Sequence, residues 1–214
     1  MKAIIFDMDG LMIDTERVYF EIQRKMARDF GRELKDETLW KMMGRKPMES
    51  MSIFAEVLDI DKSPQELLNI RDGLFEERIK NDLVPMPGLF EILDEFRGRM
   101  KLAIATGSPN RLVKMITSKL NIGSYFDVLQ ASDEIVNGKP DPEIYLKTVE
   151  KLGFSPGECI VLEDSSNGAL AGKRAGCYTI AIPSEYTCKQ DFSFTDYTAR
   201  DLNDAREHII RLER

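Results

Sequence analysis

Short apolar runs alternate with amphipathic segments over most of this chain. Five runs have the length and composition of buried strands: 3–6, 102–105, 126–129, 159–162 and 178–182. Segments with an apolar residue at every third or fourth position separate or follow them, which predicts helices. These helices cover 89–96, 111–120, 142–152, 167–175 and 202–212. The alternation predicts an α/β fold with a doubly wound, Rossmann-like parallel sheet and helices on both of its faces.

One long segment, between residues 15 and 81, lacks any convincing strand pattern. Its apolar residues recur at helical spacing, and helices are predicted at 15–30, 37–43, 49–58 and 64–79. Ser63-Pro64-Gln65-Glu66 predicts a helix start, with serine as the N-cap, proline at the first position and glutamate three residues on. We therefore expect an α/β core of residues 1–14 and 82–214, with a small helical cap of residues 15–81 inserted after the first strand.

The composition narrows the range of functions. The chain of 214 residues carries a net charge of −7, which argues against a broad nucleic-acid-binding surface, and it has no apolar run of membrane-spanning length. The three cysteines lack metal-site spacing and are expected to be reduced thiols. His208 is the only histidine, so histidine-based triads and di-histidine metal sites are not expected. We expect a cytoplasmic monomer with no nucleic-acid or membrane partner.

Acidic, hydroxyl and cationic side chains stand where the predicted strands end or in the loops that follow. They are Asp7 and Asp9 after the first strand, Thr106 and Ser108 after the second, Lys139 after the third, and Glu163 and Asp164 after the fourth. Because the carboxyl ends of parallel strands share one edge of a sheet, these side chains can converge. Each group also has an ordinary structural interpretation. The first aspartates could form an acidic turn, and the hydroxyl residues could form a turn and a helix N-cap. The lysine could be a solvated loop residue, and the last acid pair could cap the following helix. Together they would supply a nucleophile, an acid, a phosphate cradle, a cation and metal ligands.

The combination resembles the motifs of the haloacid dehalogenase superfamily of aspartyl-phosphate enzymes. Within that superfamily the chain is similar to the branch of β-phosphoglucomutases and sugar-phosphate phosphatases, whose small helical cap enters after the first strand. The matching motifs are Asp7-Met8-Asp9-Gly10, Thr106 at a strand end, Gly138-Lys139-Pro140, and Leu162-Glu163-Asp164-Ser165-Ser166-Asn167-Gly168. The resemblance covers essentially the whole chain and is more specific for the superfamily than for a substrate.

The resemblance implies a role for each matching residue. Asp7 would attack phosphorus and form an aspartyl phosphate, and Asp9 would act as the general acid and base. Lys139 would offset negative charge. The phosphoryl oxygens would be held by Thr106, Gly107, Ser108 and Asn110. The implied cofactor is Mg²⁺, or a similar divalent cation such as Mn²⁺ or Co²⁺. Its ligands would be Asp7, the backbone carbonyl of Asp9, and Asp164, with Glu163 bound to the ion or next to it.

Three departures from the mutase pattern favour hydrolysis. The histidine, lysine and arginine expected of a mutase align with Tyr19, Pro109 and Pro47. The remaining cationic candidates for contact with a sugar phosphate are Arg45, Lys46 and Arg71, although a residue of this kind, taken by itself, is more often a surface charge. We expect a metal-dependent phosphatase for small phosphorylated carbohydrates, with a β-phosphoglucomutase-type mutase as the alternative.

Two further classes fit the pattern less well. A dehalogenase would share the nucleophile, but it needs neither Asp9 nor the acid pair Glu163-Asp164. A receiver-like binding domain would also combine acids, threonine and lysine on a parallel sheet, but it would lack the helical insert. Turnover of p-nitrophenyl phosphate with Mg²⁺ separates an enzyme from a binding module.

Overall fold

The computed structural model describes residues 1–43, 45 and 47–213. Its contacts divide the chain into two compact units, one formed by Met1–Asp14 with Val84–Arg214, and the other by Thr15–Leu83. The boundary expected from the sequence lies after residue 81, which is the last residue of a helix, and two further residues group with the helical unit.

The larger unit contains a parallel sheet. Among the described residues the strands are β1 (Ala3–Phe6), β2 (Lys101–Ala105), β3 (Val128–Gln130), β4 (Cys159–Glu163), β5 (Tyr178–Ala181) and β6 (Tyr197–Thr198). Their order in the sheet is β3-β2-β1-β4-β5-β6, and every neighbouring pair is parallel. The predicted α/β fold class is therefore confirmed. Because β1 lies between β2 and β4, residues that follow these three strands are neighbours at one edge of the sheet.

Helices cover the sheet. Those of the larger unit, within the described residues, are α5 (Leu89–Phe96), α6 (Asn110–Lys119), α7 (Glu143–Leu152), α8 (Ser166–Ala175) and α9 (Leu202–Leu212), where α1–α4 are the helices of the smaller unit. Alternate residues of β1, β2 and β4 form one apolar cluster with side chains of α7 and α8. α5 packs on α9. Tyr145, on α7, is completely buried in the apolar cluster between the sheet and α7.

The regular structure of the smaller unit, in its described part, consists of helices joined by short loops. Its helices are α1 (Thr15–Asp29), α2 (Asp36–Met42), α3 (Pro47–Leu58) and α4 (Pro64–Asn81). The predicted capping box is present, since the Ser63 hydroxyl accepts from the backbone N–H of Glu66 while the Glu66 carboxylate accepts from the N–H of Ser63. α3 packs on α2 and α4, and α4 packs on α1. Phe54 and Phe75 are buried in this unit.

Two short strands depart from the sequence expectation. The third strand covers Val128–Gln130 and not the expected 126–129. Phe126 began the apolar run that predicted the strand, but its ring packs edge-on against Phe6, with 6.0 Å between the ring centres. β6 has only two residues, too few to produce a recognisable pattern. In the part of the chain that the structure describes, no helix is both long and apolar enough to cross a membrane.

Candidate active site

Asp7 directly follows the first strand and is buried. The backbone N–H of Asp7 donates to the carbonyl of Leu162 over 3.0 Å, just beyond the end of β1. Only 6% of Asp7 is exposed. The chain then turns at Gly10, whose φ is +81°, and a Cβ on Gly10 would lie 2.3 Å from Oδ2 of Asp164. Glycine at this position therefore lets the first loop approach the acidic end of β4.

The loop after β2 holds the second aspartate. Asp9 Oδ2 accepts hydrogen bonds from the hydroxyl groups of Thr106, over 2.9 Å, and Ser108, over 2.8 Å. The backbone N–H of Ser108 donates to Thr106 Oγ1 over 3.0 Å, so the two residues orient each other. Gly107 and Asn110, also expected to hold phosphate, are exposed within and after this loop. Asp7 and Asp9 are thus held in different surroundings although they are two residues apart.

Lys139 joins the ends of three strands. Its ammonium group donates to Asp7 Oδ1 and to Glu163 Oε1, over 2.6 Å in each case, and to the carbonyl of Ala105 over 3.2 Å. An ammonium group has three N–H donors, so these contacts use all of them. The Lys139 ammonium group is therefore shared between two carboxylates, that of Asp7 just after β1 and that of Glu163 at the end of β4.

The loop that carries Lys139 is anchored to the start of α7. The Glu143 carboxylate accepts from the backbone N–H groups of Val136, over 3.0 Å, and Asn137, over 2.7 Å. Lys147 donates to the same carboxylate over 2.8 Å. These contacts lower the pKa of Glu143 to about 2, the Lys147 hydrogen bond being the largest cause. The loop is consequently tied to α7 at neutral pH.

Burial sets the protonation of the central groups. Burial raises the pKa of Asp7 from its ordinary 3.8 to about 8, the neighbouring Lys139 opposes this, and Glu163 and Asp9 reinforce it. Burial alone would lower the pKa of Lys139, but the Asp7 and Glu163 carboxylates raise it well above its ordinary 10.5. Lys139 therefore remains a cation, and the site holds more carboxylates than this one cation can neutralise.

The acidic end of the sheet has the donor set of a cation site. Oxygens of Asp7, Glu163 and Asp164 lie within 4.8 Å of one another, and all three residues are buried. Several buried carboxylates facing a single ammonium group favour the binding of a further cation. Carboxylate oxygens are the ligands preferred by Mg²⁺. The residues present therefore fit the divalent cation that the sequence predicts.

The fourth motif also requires a glycine. The Glu163 carboxylate lies so close to Gly168 that a Cβ at that position would be 1.7 Å from Oε1 and 2.0 Å from Cδ. We expect Gly168→Ala to displace this carboxylate and to weaken Mg²⁺ binding by about tenfold, because groups around metal ligands typically contribute that much. The overpacked site should also lose about 1–3 kcal/mol of unfolding free energy. Calorimetric Mg²⁺ titration and thermal melting measure the two effects.

A glycine in open space provides the control. Gly73 lies inside α4, and a Cβ there would meet no atom within 4 Å. Gly73→Ala should leave Mg²⁺ affinity unchanged and raise stability by about 0.5–1 kcal/mol through helix propensity. Wild-type Mg²⁺ affinity in a folded Gly168→Ala protein would show that the position of the Glu163 carboxylate does not matter for metal binding.

The three cationic candidates in the helical unit differ in their surroundings. Arg71 is buried, with 9% exposed, and its guanidinium lies 5.0 Å from the ring centre of Tyr19. It also donates to the Asp72 carboxylate over 2.7 Å. Arg45 is exposed and bonds to the Glu49 carboxylate. Lys46 lies outside the described residues. Arg71 is therefore not the solvated surface charge that its sequence context allows.

Arg71 and Arg45 both line a small cavity within the helical unit. The cavity has a volume of about 160 Å³, and its other lining residues include Tyr19, Gln23 and Ser50. Gln23 is buried, and its Oε1 accepts no hydrogen bond from any described residue. The lining therefore presents hydrogen-bonding groups and cations to whatever enters the cavity.

Two residues that contact Glu163 received no role from the sequence: Tyr145, which it does not single out, and Ser165, which it places in the fourth motif. The Tyr145 hydroxyl donates to Oε1 over 2.8 Å, and the backbone N–H and hydroxyl of Ser165 donate to Oε2 over 3.1 and 3.0 Å. One signal was available for Tyr145: a tyrosine on the buried face of a helix needs a partner for its hydroxyl. Helical periodicity cannot identify that partner, because it lies on another element.

Comparison with known proteins agrees with this geometry. A model of the haloacid dehalogenase-like hydrolase family matches residues 4–182. The chain is 39% identical to a phosphorylated carbohydrates phosphatase of Thermotoga maritima over 180 residues, which is 82% of each chain. It is 26% identical to the fructose-1-phosphate phosphatase of Escherichia coli over 84% of this chain and 95% of that one.

A solved structure is similar over the whole chain. The crystal structure of a candidate β-phosphoglucomutase from Thermotoga maritima matches with a TM-score of 0.84 and 30% identity. The match covers 99% of both chains. Phosphatases and a mutase-like protein therefore both occur among the similar proteins.

Proposed function

Since the chain belongs to the haloacid dehalogenase-like hydrolase family, we propose that it is a metal-dependent phosphatase that hydrolyses small phosphorylated carbohydrates through an aspartyl phosphate. The observation that carries the proposal is the separation of the two aspartates. Asp7 is bonded to Lys139 and lies within the acidic group, whereas Asp9 is bonded to the hydroxyls of Thr106 and Ser108. Two carboxyl groups held in different environments can take the roles of nucleophile and acid.

The residues act in sequence. The Asp7 carboxylate attacks phosphorus, and Asp9 donates a proton to the departing sugar oxygen. A water molecule then attacks the phosphorus of the aspartyl phosphate while Asp9 takes its proton, which releases phosphate and restores Asp7. Thr106 and Ser108 orient Asp9 through the two hydrogen bonds to Oδ2. Lys139 offsets the charge that accumulates on the phosphoryl oxygens.

Mg²⁺ is the proposed cofactor, and Mn²⁺ or Co²⁺ could replace it. The side chains of Asp7 and Asp164 and the backbone carbonyl of Asp9 would hold it, with Glu163 at its side. When bound, the ion supplies positive charge that stabilises the transferring phosphoryl group. The N–H group of Gly107, with Asn110, is the proposed contact for the remaining phosphoryl oxygens. The Ser108 N–H and the Thr106 hydroxyl, to which the resemblance assigns the same role, instead donate to Thr106 Oγ1 and to Asp9.

The helical unit is the proposed source of substrate selectivity. Its cavity combines the Arg71 guanidinium with the buried amide of Gln23 and the hydroxyl of Ser50. Such groups suit a polyhydroxylated, anionic molecule. Arg45 and Lys46 are further candidates on the same unit. Hydrolysis is favoured over mutase activity because Tyr19, Pro47 and Pro109 supply none of the three cationic groups of a mutase.

A substrate screen tests the proposal. Release of inorganic phosphate is measured with Mg²⁺ for a series of sugar phosphates, with phosphoserine and nucleotides as controls, and we expect the sugar phosphates to be preferred. The mutase alternative is tested with β-glucose 1-phosphate and a bisphosphate primer. Glucose 6-phosphate forming faster than phosphate is released from any sugar phosphate would identify a mutase and overturn the proposed hydrolysis.

We further propose a cytoplasmic monomer. The three cysteines are all free thiols, and burial raises the pKa of Cys159 to about 11 and of Cys177 to about 12, so neither is a reactive thiolate. A net charge of −7 favours a monomer in solution. Light scattering during size-exclusion chromatography measures the oligomeric state.

A further inference from the structure

Four donors surround the Glu163 carboxylate. Oε1 accepts from the Lys139 ammonium over 2.6 Å and from the Tyr145 hydroxyl over 2.8 Å. Oε2 accepts from the N–H and the hydroxyl of Ser165 over 3.1 and 3.0 Å. A carboxylate has about four lone-pair positions, so these donors saturate it. The group is 1% exposed, which leaves water little access to replace a lost donor.

Tyr145 contacts both members of the Lys139–Glu163 pair. Its hydroxyl bonds to Glu163, and the Lys139 ammonium lies 5.0 Å from the centre of its ring. Tyr145 itself is completely buried in the apolar cluster between the sheet and α7. Its ring is thus held by packing in the apolar cluster in addition to these two contacts. A rigid donor of this kind can fix the orientation of a charged neighbour.

The first turn of α7 therefore anchors Lys139 twice. Glu143 holds the backbone of its loop at Val136 and Asn137, and Tyr145 contacts its charged end two residues later on the same helix. Because Lys139 uses its three donors on Asp7, Glu163 and Ala105, a change in the direction of the Glu163 carboxylate must alter the contact with Asp7.

We propose that Tyr145 is a positioning residue for the reaction: it holds the Glu163 carboxylate towards Lys139 and so keeps the Lys139 ammonium against Asp7. The proposal rests on the proposed function, in which Asp7 is the nucleophile. Tyr145 does not itself touch the reacting groups, since its hydroxyl reaches Glu163 and its ring reaches Lys139. Its effect is transmitted through those two side chains.

The test removes only the hydroxyl group. Tyr145→Phe retains the ring, and we expect it to fold, as circular dichroism will show. Mg²⁺ affinity, measured by calorimetry without substrate, should fall about tenfold, as is typical for residues that orient groups around a metal. The kcat for p-nitrophenyl phosphate at saturating Mg²⁺ should fall about tenfold, with KM changed less than twofold, because Tyr145 does not contact the substrate.

A matched control separates positioning from general loss of a hydrogen bond. The Tyr178 hydroxyl bonds to His208 Nε2 over 2.9 Å elsewhere in the same unit. Tyr178→Phe should leave kcat and Mg²⁺ affinity unchanged. If both Tyr→Phe variants lower kcat and Mg²⁺ affinity equally, the effect is one of stability and the proposal is overturned.

A double-mutant cycle tests whether Tyr145 acts through Glu163. In a Glu163→Ala background, Tyr145→Phe should cause little further loss of kcat, because the carboxylate that Tyr145 holds is then absent. Equal losses in both backgrounds would overturn the proposal. Glu163→Ala alone must also lower Mg²⁺ affinity, and an unchanged affinity there would overturn it even if Tyr145→Phe failed to fold.

Failure of the proposed function gives a different result. A wild-type protein that binds Mg²⁺ but hydrolyses no phosphate ester would contradict the proposed phosphatase activity. The calorimetric comparison of Tyr145→Phe with wild type would still decide whether Tyr145 organises the acidic group. Unchanged Mg²⁺ affinity together with unchanged kcat in folded Tyr145→Phe would overturn the positioning role.

Discussion

Asp7→Asn should abolish phosphate release while leaving the fold intact. The amide cannot attack phosphorus to form an acyl phosphate, so kcat should fall on the order of 10³-fold or more. The fold should persist because an amide oxygen can still accept the hydrogen bond of Lys139 and because removing a buried carboxylate relieves like-charge repulsion. Steady-state kinetics and circular dichroism measure the two outcomes.

An aspartate at the other end of the sheet provides the control for this variant. Asp127 bonds to Lys101 Nζ over 2.5 Å and to the N–H of Leu102 over 3.1 Å, near the start of β2. Asp127→Asn should retain the wild-type kcat. Acid quenching of wild-type enzyme during turnover should also trap a protein one phosphoryl group heavier, and the Asp7→Asn protein should not show this species. Substantial hydrolysis by the folded Asp7→Asn protein would exclude Asp7 as the nucleophile.

Removal of divalent cations should stop turnover and lower the melting temperature, and the second effect should grow with pH. Folding raises the pKa of Asp7 from 3.8 to about 8, chiefly through burial. Below about pH 4 this carboxyl is protonated in both states and contributes no difference. Between about pH 4 and pH 8 the folded state retains a proton that the unfolded state has released, so this group lowers the free energy of unfolding as pH rises.

Mg²⁺ favours the ionised carboxylates and should offset that loss. The increase in melting temperature caused by Mg²⁺ should therefore be larger at pH 8 than at pH 6, and Mg²⁺ binding at pH 7 should release protons. Calorimetry in buffers of different ionisation enthalpy measures the released protons. Asp164→Ala should sharply weaken binding, and Asp7→Asn should abolish most of the proton release. Full activity in excess chelator, or an Mg²⁺ effect independent of pH, would contradict this account.

The positions of most elements follow from local patterns. The apolar runs that predict β1, β2, β4 and β5 all form strands, and the capping box at Ser63 begins α4 where the sequence places it. These features can be predicted from the sequence because strand length, helical period and cap chemistry depend on residues close together in the chain. Phe126 is an exception: its ring contacts Phe6, and the residue lies outside the strand that its apolar neighbours form.

The proximity of the candidate site residues to one another also follows from a general rule about parallel sheets. Asp7, Thr106 and Asp164 lie far apart in the chain, and only their positions after strands predict that they are neighbours. The structure places Asp7 in the acidic group with Asp164, whereas the Thr106 hydroxyl donates to Asp9. The edge of the sheet could be predicted, but the pairing of side chains along that edge could not.

The sequence by itself determined most of the elements of this protein, the residue types at the strand ends and the acidic character of the site. The tertiary structure decided which of these groups form hydrogen bonds: Lys139 donates to Asp7 across 132 positions of the chain, and Tyr145 donates to Glu163 across 18. It also decided that Gly168 must lack a side chain, since the Glu163 carboxylate occupies that space. The physical reason is range: periodicity and capping act within a few residues, whereas hydrogen bonds and close packing join any atoms that folding brings together.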